Sequence, residues 1–148
     1  MARLLSGAVA LALVAAPALL AAPAPASSGG PRIRAAPRHG GSTATFAVGF
    51  TAPEAAGHQG VFERSYQIGA GAPQRRGCAW TTGTAVNEAA KGQRVRVRLR
   101  PAGGSRWCPG LYKGTISMEE GPFCQRGQPC PEFATRIRTI GHFHFRVR

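Results

Sequence analysis

The chain has 148 residues and a net charge of +13, from 19 Lys and Arg against 6 acids. All the acids are glutamate and no aspartate occurs, which excludes an aspartate-oriented catalytic triad and removes the usual carboxylate source for a Ca²⁺ or Mg²⁺ site. The positive charge favours polyanionic partners.

Residues 1–26 read as a secretory signal peptide. Arg3 supplies the positive start, Leu4 to Leu20 run apolar without a charge, and Ala24-Pro25-Ala26 makes a small-x-small cleavage site before Ser27. Loss of the leader takes the charge from +13 to +12 and leaves enough chain for one domain. The apolar run is shorter than a membrane span and no second such run follows, so no membrane span is expected in the mature chain. The expected location is secreted, extracellular or associated with the cell envelope.

Residues 27–41 are rich in Ser, Gly, Pro and Arg without periodicity and read as a short disordered lead. The domain is therefore placed at 42–148. Ala44, Phe46, Val48 and Phe50 alternate with smaller residues, as in a half-buried strand. Phe62, Tyr66 and Ile68 mark a second strand, with Arg64 out of pattern. Cys78 to Thr82 is a third candidate, and Ala85 to Ala90 reads as one helical turn or a loop. Gln93 to Arg100 is the clearest strand, with Val95, Val97 and Leu99 on one face. Tyr112, Ile116 and Met118 alternate again, as do Phe143, Phe145 and Val147. No 3.6-residue apolar pattern of useful length appears. Short strands split by Gly/Pro turns predict an all-β antiparallel sandwich of six to eight strands. Its expected core includes Phe46, Phe50, Tyr66, Ile68, Trp80, Val95, Val97, Leu99, Tyr112, Ile116, Phe143, Phe145 and Val147.

The run Trp107-Cys108-Pro109-Gly110-Leu111-Tyr112-Lys113-Gly114-Thr115-Ile116, followed by Gly141-His142-Phe143-His144-Phe145-Arg146-Val147, resembles the C-terminal half of small secreted immunoglobulin-like domains of high-GC bacteria. The resemblance spans roughly Thr45 to Arg148 as a strand pattern and implies an immunoglobulin-like sandwich, secretion and surface association. It carries no catalytic residue.

Four cysteines in a short exported chain predict two disulfides, with three possible pairings. The short Pro/Gly-rich segment 125–129 favours Cys124–Cys130, which leaves Cys78–Cys108. A zinc site is disfavoured because no Cys-x-x-Cys occurs and the destination is oxidising.

Arg94, Arg96, Arg98 and Arg100 project from one strand face at intervals of about 6.8 Å. Such a ladder is either a solvated, aggregation-resistant strand face or a track for phosphates or carboxylates. His142 and His144 share a face of the last strand and form half of a metal site at most, for which His39, His58 or Glu120 are candidate third ligands. Glu119 and Glu120 are neighbours on a strand, point to opposite faces and cannot flank one bond. No nucleophile elbow and no phosphate-binding Gly-rich loop is present, so no enzyme and no cofactor are expected.

The sequence therefore predicts a disulfide-stabilised binding or structural module at the cell envelope, contacting an anionic envelope polymer through Arg94, Arg96, Arg98 and Arg100. Nucleic acid is not the expected partner, because few aromatics remain for base stacking once the core is filled. Two alternatives stand beside it: a small metal-binding protein using His142 and His144, and a protein-binding or inhibitor domain presenting the 124–130 loop.

Overall fold

The computed structural model describes residues 32–102, 105–124 and 127–148. The proposed leader and the first part of the lead lie outside them. Nine strands form: β1 (Arg34–Ala36), β2 (His39–Gly40), β3 (Phe46–Thr51), β4 (Gly57–Gln59), β5 (Phe62–Gly71), β6 (Thr81–Val86), β7 (Arg94–Leu99), β8 (Gly110–Pro122) and β9 (Arg136–Val147). They make two sheets. One has the order β1-β3-β7; the other has the order β2-β9-β8-β5-β4, with β6 also on β5. The larger sheet curls toward a half-barrel.

The lead differs from its sequence reading. Arg34–Ala36 pairs antiparallel with Ala47–Gly49 of β3, and His39–Gly40 pairs parallel with Arg146–Val147 of β9. Residues 34–40 thus lie on an edge of each sheet in turn. Composition hides this because, among the described residues of the lead, Ile33 and Ala35 are the side chains that pack against the core, too few to register as periodicity.

The inner faces of both sheets share one core. Phe46, Val48 and Phe50 of β3 meet Tyr66, Ile68, Tyr112, Ile116, Phe145 and Val147 across the gap. Phe145 is its centre at the lower end: it stacks on Phe46 at 4.0 Å and on Tyr112 at 4.9 Å. Trp107 stands edge-on to Phe46, Tyr112 and Phe145. Such edge-to-face contacts contribute beyond area burial. The Trp107 indole Nε1–H donates to the Ala44 carbonyl at 2.7 Å, so its one polar atom is satisfied.

The core tryptophan is therefore Trp107, 1% exposed, and not Trp80, which is 36% exposed. Ala79 explains the exchange. It bridges Trp107 and faces inward, so its neighbour Trp80 must face out. The third strand also starts later than the sequence indicates, at Thr81, and runs to Val86, into the segment expected as a helical turn or loop; residues 87–93 form a loop with a bridge from Ala89 to Ala56 and a turn at 91–92.

Arg64 has a physical reason. β3 ends at Thr51, so the first residues of β5 run past the smaller sheet and their inward side is uncovered. Arg64 faces its strand partner Glu120 there and pairs with it, while Glu54 pairs with Arg138 and lies 3.9 Å from Arg64. An ion network caps the core where apolar cover runs out. Glu119 and Glu120 do point to opposite faces, Glu119 standing opposite Ser65 and Ile137.

Both disulfides form as the sequence favours: Cys78–Cys108 and Cys124–Cys130. No cysteine is free. No helix among the described residues is long and apolar enough to cross a membrane.

Candidate functional site

β7 is an edge strand of the smaller sheet, and its alternation works as the sequence indicates. Arg94, Arg96, Arg98 and Arg100 are exposed, while Val95 and Leu99 are buried and Val97 is half-buried. The strand register adds what the sequence does not reveal. Arg96 lies opposite Gly49, and Gly49 lies opposite Arg34 of β1. Arg98 lies opposite Ala47, which in turn lies opposite Ala36; Arg94 lies opposite Thr51. The outer face is thus a floor of Ala47, Gly49 and Thr51, walled by arginines from both flanking strands.

β1 and β7 stand about 9.6 Å apart, two inter-strand spacings. A Cβ built on Gly49 would meet only the Val95 carbonyl oxygen, at 3.8 Å. The middle of the floor is therefore bare backbone that a ligand can approach closely. No glutamate lies on any strand of this sheet. The arginine row of β7 and the single Arg34 of β1, with no glutamate between them, suit an extended chain of phosphates or carboxylates, each fork offering paired N–H donors. Arg34 escapes sequence reasoning because it sits in the Pro/Gly-rich lead; the alternation Arg32-Ile33-Arg34-Ala35 is its one signal. Arg100 lies beyond the end of β7, and its carbonyl accepts from Thr82 Oγ1 at 2.9 Å.

Charge is also sorted along the molecule. Glu54, Glu63, Glu88, Glu119, Glu120 and Glu132 all lie at the end where β3 and β8 finish and β5, β7 and β9 begin. The opposite end carries Arg38, Arg75, Arg106, Lys113, Arg146 and Arg148 without an acid. The bare cations at that end and on the smaller sheet make the positive field there.

His142 and His144 are exposed on β9. His142 Nδ1 is 3.3 Å from Thr115 Oγ1, and His144 stands opposite Lys113. Among the described residues no group of three His, Cys, Asp or Glu is placed to hold a metal ion. His58 instead packs on Phe123 at 3.8 Å, Glu120 is paired with Arg64, and His39 lies opposite Arg146. The geometry brings no third ligand to the His142/His144 pair.

The Cys124–Cys130 loop sits at the glutamate-rich end, between β8 and β9. Phe133 packs against Phe62 at 4.5 Å, beside a hollow of about 250 Å³ also lined by Glu120 and Arg136. Val61, next to Phe62, is 55% exposed; Ile137, 71% exposed, stands opposite Glu119 on the other face of the sheet.

The other disulfide joins the β5–β6 loop to the segment that enters β8. Beneath it the Tyr112 hydroxyl donates to the Ala79 carbonyl at 2.6 Å and lies 3.1 Å from that of Cys108. Burial pushes the Tyr112 phenol up from its ordinary 10.0, while the Cys108 hydrogen bond and the Arg75 charge oppose that shift.

No protein-family model matches the chain. Neither a curated protein nor a solved structure matches it.

Proposed function

We propose that the protein is an exported, non-catalytic binding module of immunoglobulin-like architecture whose three-stranded sheet holds an extended anionic polymer of the cell envelope. The observation that carries this reading is the row Arg34–Gly49–Arg96, two opposed arginines across a bare glycine on a sheet with no acid. The absence of any aromatic side chain on that outer face favours a phosphate- or carboxylate-bearing polymer over single-stranded nucleic acid, which needs stacking platforms.

The architecture is supported by three features. The order β1-β3-β7 in one sheet and β9-β8-β5 in the other is compatible with strands A, B, E and G, F, C of such a sandwich. β2 leaves the first sheet to run parallel to the last strand. Tyr112, near the start of β8, hydrogen-bonds back to the carbonyl of Cys108, as the tyrosine corner of such domains does. Two disulfides fit an oxidising destination.

The test is binding of a linear polyphosphate and a poly-L-glutamate of matched length. Replacing Arg96 and Arg98 with Gln is expected to weaken both by about tenfold or more, from lost charge-assisted contacts. Unchanged binding at low salt would reduce the ladder to a solvated strand face.

A second reading is favoured by Phe62 and Phe133 beside the Cys124–Cys130 loop. In it the glutamate-rich end meets a protein partner. Phe133→Ser would then abolish partner capture and leave polyanion binding intact.

A further inference from the structure

The cationic end of the sandwich holds a depression of about 590 Å³, lined by His39, Arg75, Arg146, Arg148 and the Pro109-Gly110 turn. Three separate segments bring these cations together. Arg146 lies on β9 with His39 of β2 as its partner in the parallel pair. Backbone hydrogen bonds from Arg146 N–H to the Arg38 carbonyl and from Arg148 N–H to the Gly40 carbonyl, both 2.9 Å, fix that pairing. Arg75 comes from the β5–β6 loop, which Cys78–Cys108 ties down three residues later.

The floor is bare. Gly110 has a φ of +149°, which side-chain-bearing residues rarely adopt, and a Cβ there would meet nothing within 4 Å. All three ion pairs found among the described residues are at the far end, on Glu54 and Glu120. Three arginine side chains held around one hollow with no glutamate in its lining repel one another, and a bound anion reverses that sign.

We propose that this depression is a phosphoryl-binding pocket, separate from the sheet surface described above and independent of it. A phosphate group fits better than a lone carboxylate. It carries up to two charges and three acceptor oxygens, enough to engage guanidinium groups arriving from more than one direction. The hollow is open enough to leave room for whatever bears the phosphate. A soluble phosphate monoester and the phosphorylated end of a polymer present this same chemistry.

The experiment is a calorimetric titration of the oxidised protein with inorganic phosphate, glucose 1-phosphate and a short linear polyphosphate. Amide shifts at Gly110 and Arg146 are followed by NMR. Saturable binding is expected, with those amides responding. Arg75→Gln and Arg146→Gln are each expected to weaken it about tenfold. Both side chains are exposed, so the fold should persist, as an unchanged thermal transition will show. Arg96→Gln is expected to leave the binding of inorganic phosphate and glucose 1-phosphate, and the Gly110 and Arg146 amide responses, unaltered. Tighter binding of glucose 1-phosphate identifies a soluble monoester as the source; tighter binding of polyphosphate that persists in Arg96→Gln and is lost in Arg75→Gln identifies a polymer end. Non-saturable binding, or loss with Arg96→Gln but not with Arg75→Gln and Arg146→Gln, overturns the pocket. Because the sheet surface is probed by Arg96 and the pocket by Arg75 and Arg146, either can fail alone.

Discussion

Tyr112 joins the aromatic core to the turn beneath the Cys78–Cys108 bridge. Its ring stacks on Phe145 and meets Trp107, and its hydroxyl closes the turn that the Cys78–Cys108 bridge also closes. Tyr112→Phe keeps the ring and removes the hydroxyl from the Cys108 carbonyl, while the Ala79 carbonyl keeps the Cys108 N–H at 3.0 Å. A loss of about 1–3 kcal/mol is expected, read as a lower denaturant midpoint. The same hydroxyl sets an alkaline limit. Burial raises the phenols of Tyr66 and Tyr112 above 10.0 in the folded chain. Below about pH 10 both states keep these protons and the two phenols add no pH dependence. Above it the unfolded chain loses them first, so stability falls as pH rises toward the folded values. Denaturant midpoints at pH 8 and pH 11 check this, and the fall should be shallower in Tyr112→Phe. An equal fall in parent and variant would assign it elsewhere.

Gly114 is constrained from its partner strand. A Cβ there would sit 2.2 Å from the Phe143 ring, which is itself buried. Gly114→Ala must displace that ring and is expected to cost about 1–3 kcal/mol. Gly49 is the contrast, since its added Cβ finds ordinary contact only. Gly49→Val should fold as the parent does, because β-branched residues suit a strand. It should nevertheless weaken polyanion binding, because the branched side chain stands between Arg34 and Arg96. Unimpaired binding by a folded Gly49→Val protein would show that the polymer does not cross the middle strand.

Among the elements, β7 was legible because its period of two is complete: arginines on one face, Val95, Val97 and Leu99 on the other. β3 and β9 were legible for the same reason, and the short Cys124–Cys130 ring from its spacing. β1 was not. It is three residues long, half-exposed and embedded in Pro and Gly, and it is a strand because β3 offers an open edge rather than because of its own pattern. The site suffered the same loss. The sequence reveals one row of arginines, but the second wall and the glycine between them depend on register, which no local pattern encodes. Trp80 and Trp107 illustrate the limit within a loop. Where alternation is broken, hydrophobicity alone does not tell which of two tryptophans turns inward; the Ala79–Trp107 bridge decides it.

At the scale of the whole molecule, the charge is arranged as well as large. Every glutamate lies at one end, where Glu54 and Glu120 neutralise Arg64 and Arg138. Lys91 and Arg136 share that end with the glutamates, whereas the arginines on the outer face of the smaller sheet and the cations at the opposite end have no glutamate beside them among the described residues. Such a distribution orients an approaching polyanion as well as attracting it, and the attraction weakens as salt screens it. The measurement that tests the account most directly is therefore the salt dependence of binding to linear polyphosphate, compared between the parent and the Arg34→Gln/Arg96→Gln double variant. The parent is expected to lose affinity linearly in log–log form. The double variant should bind more weakly and show a slope lower by about one unit for each arginine removed. Parallel lines of equal slope for the two proteins would contradict the claim that Arg34 and Arg96 grip the polymer together.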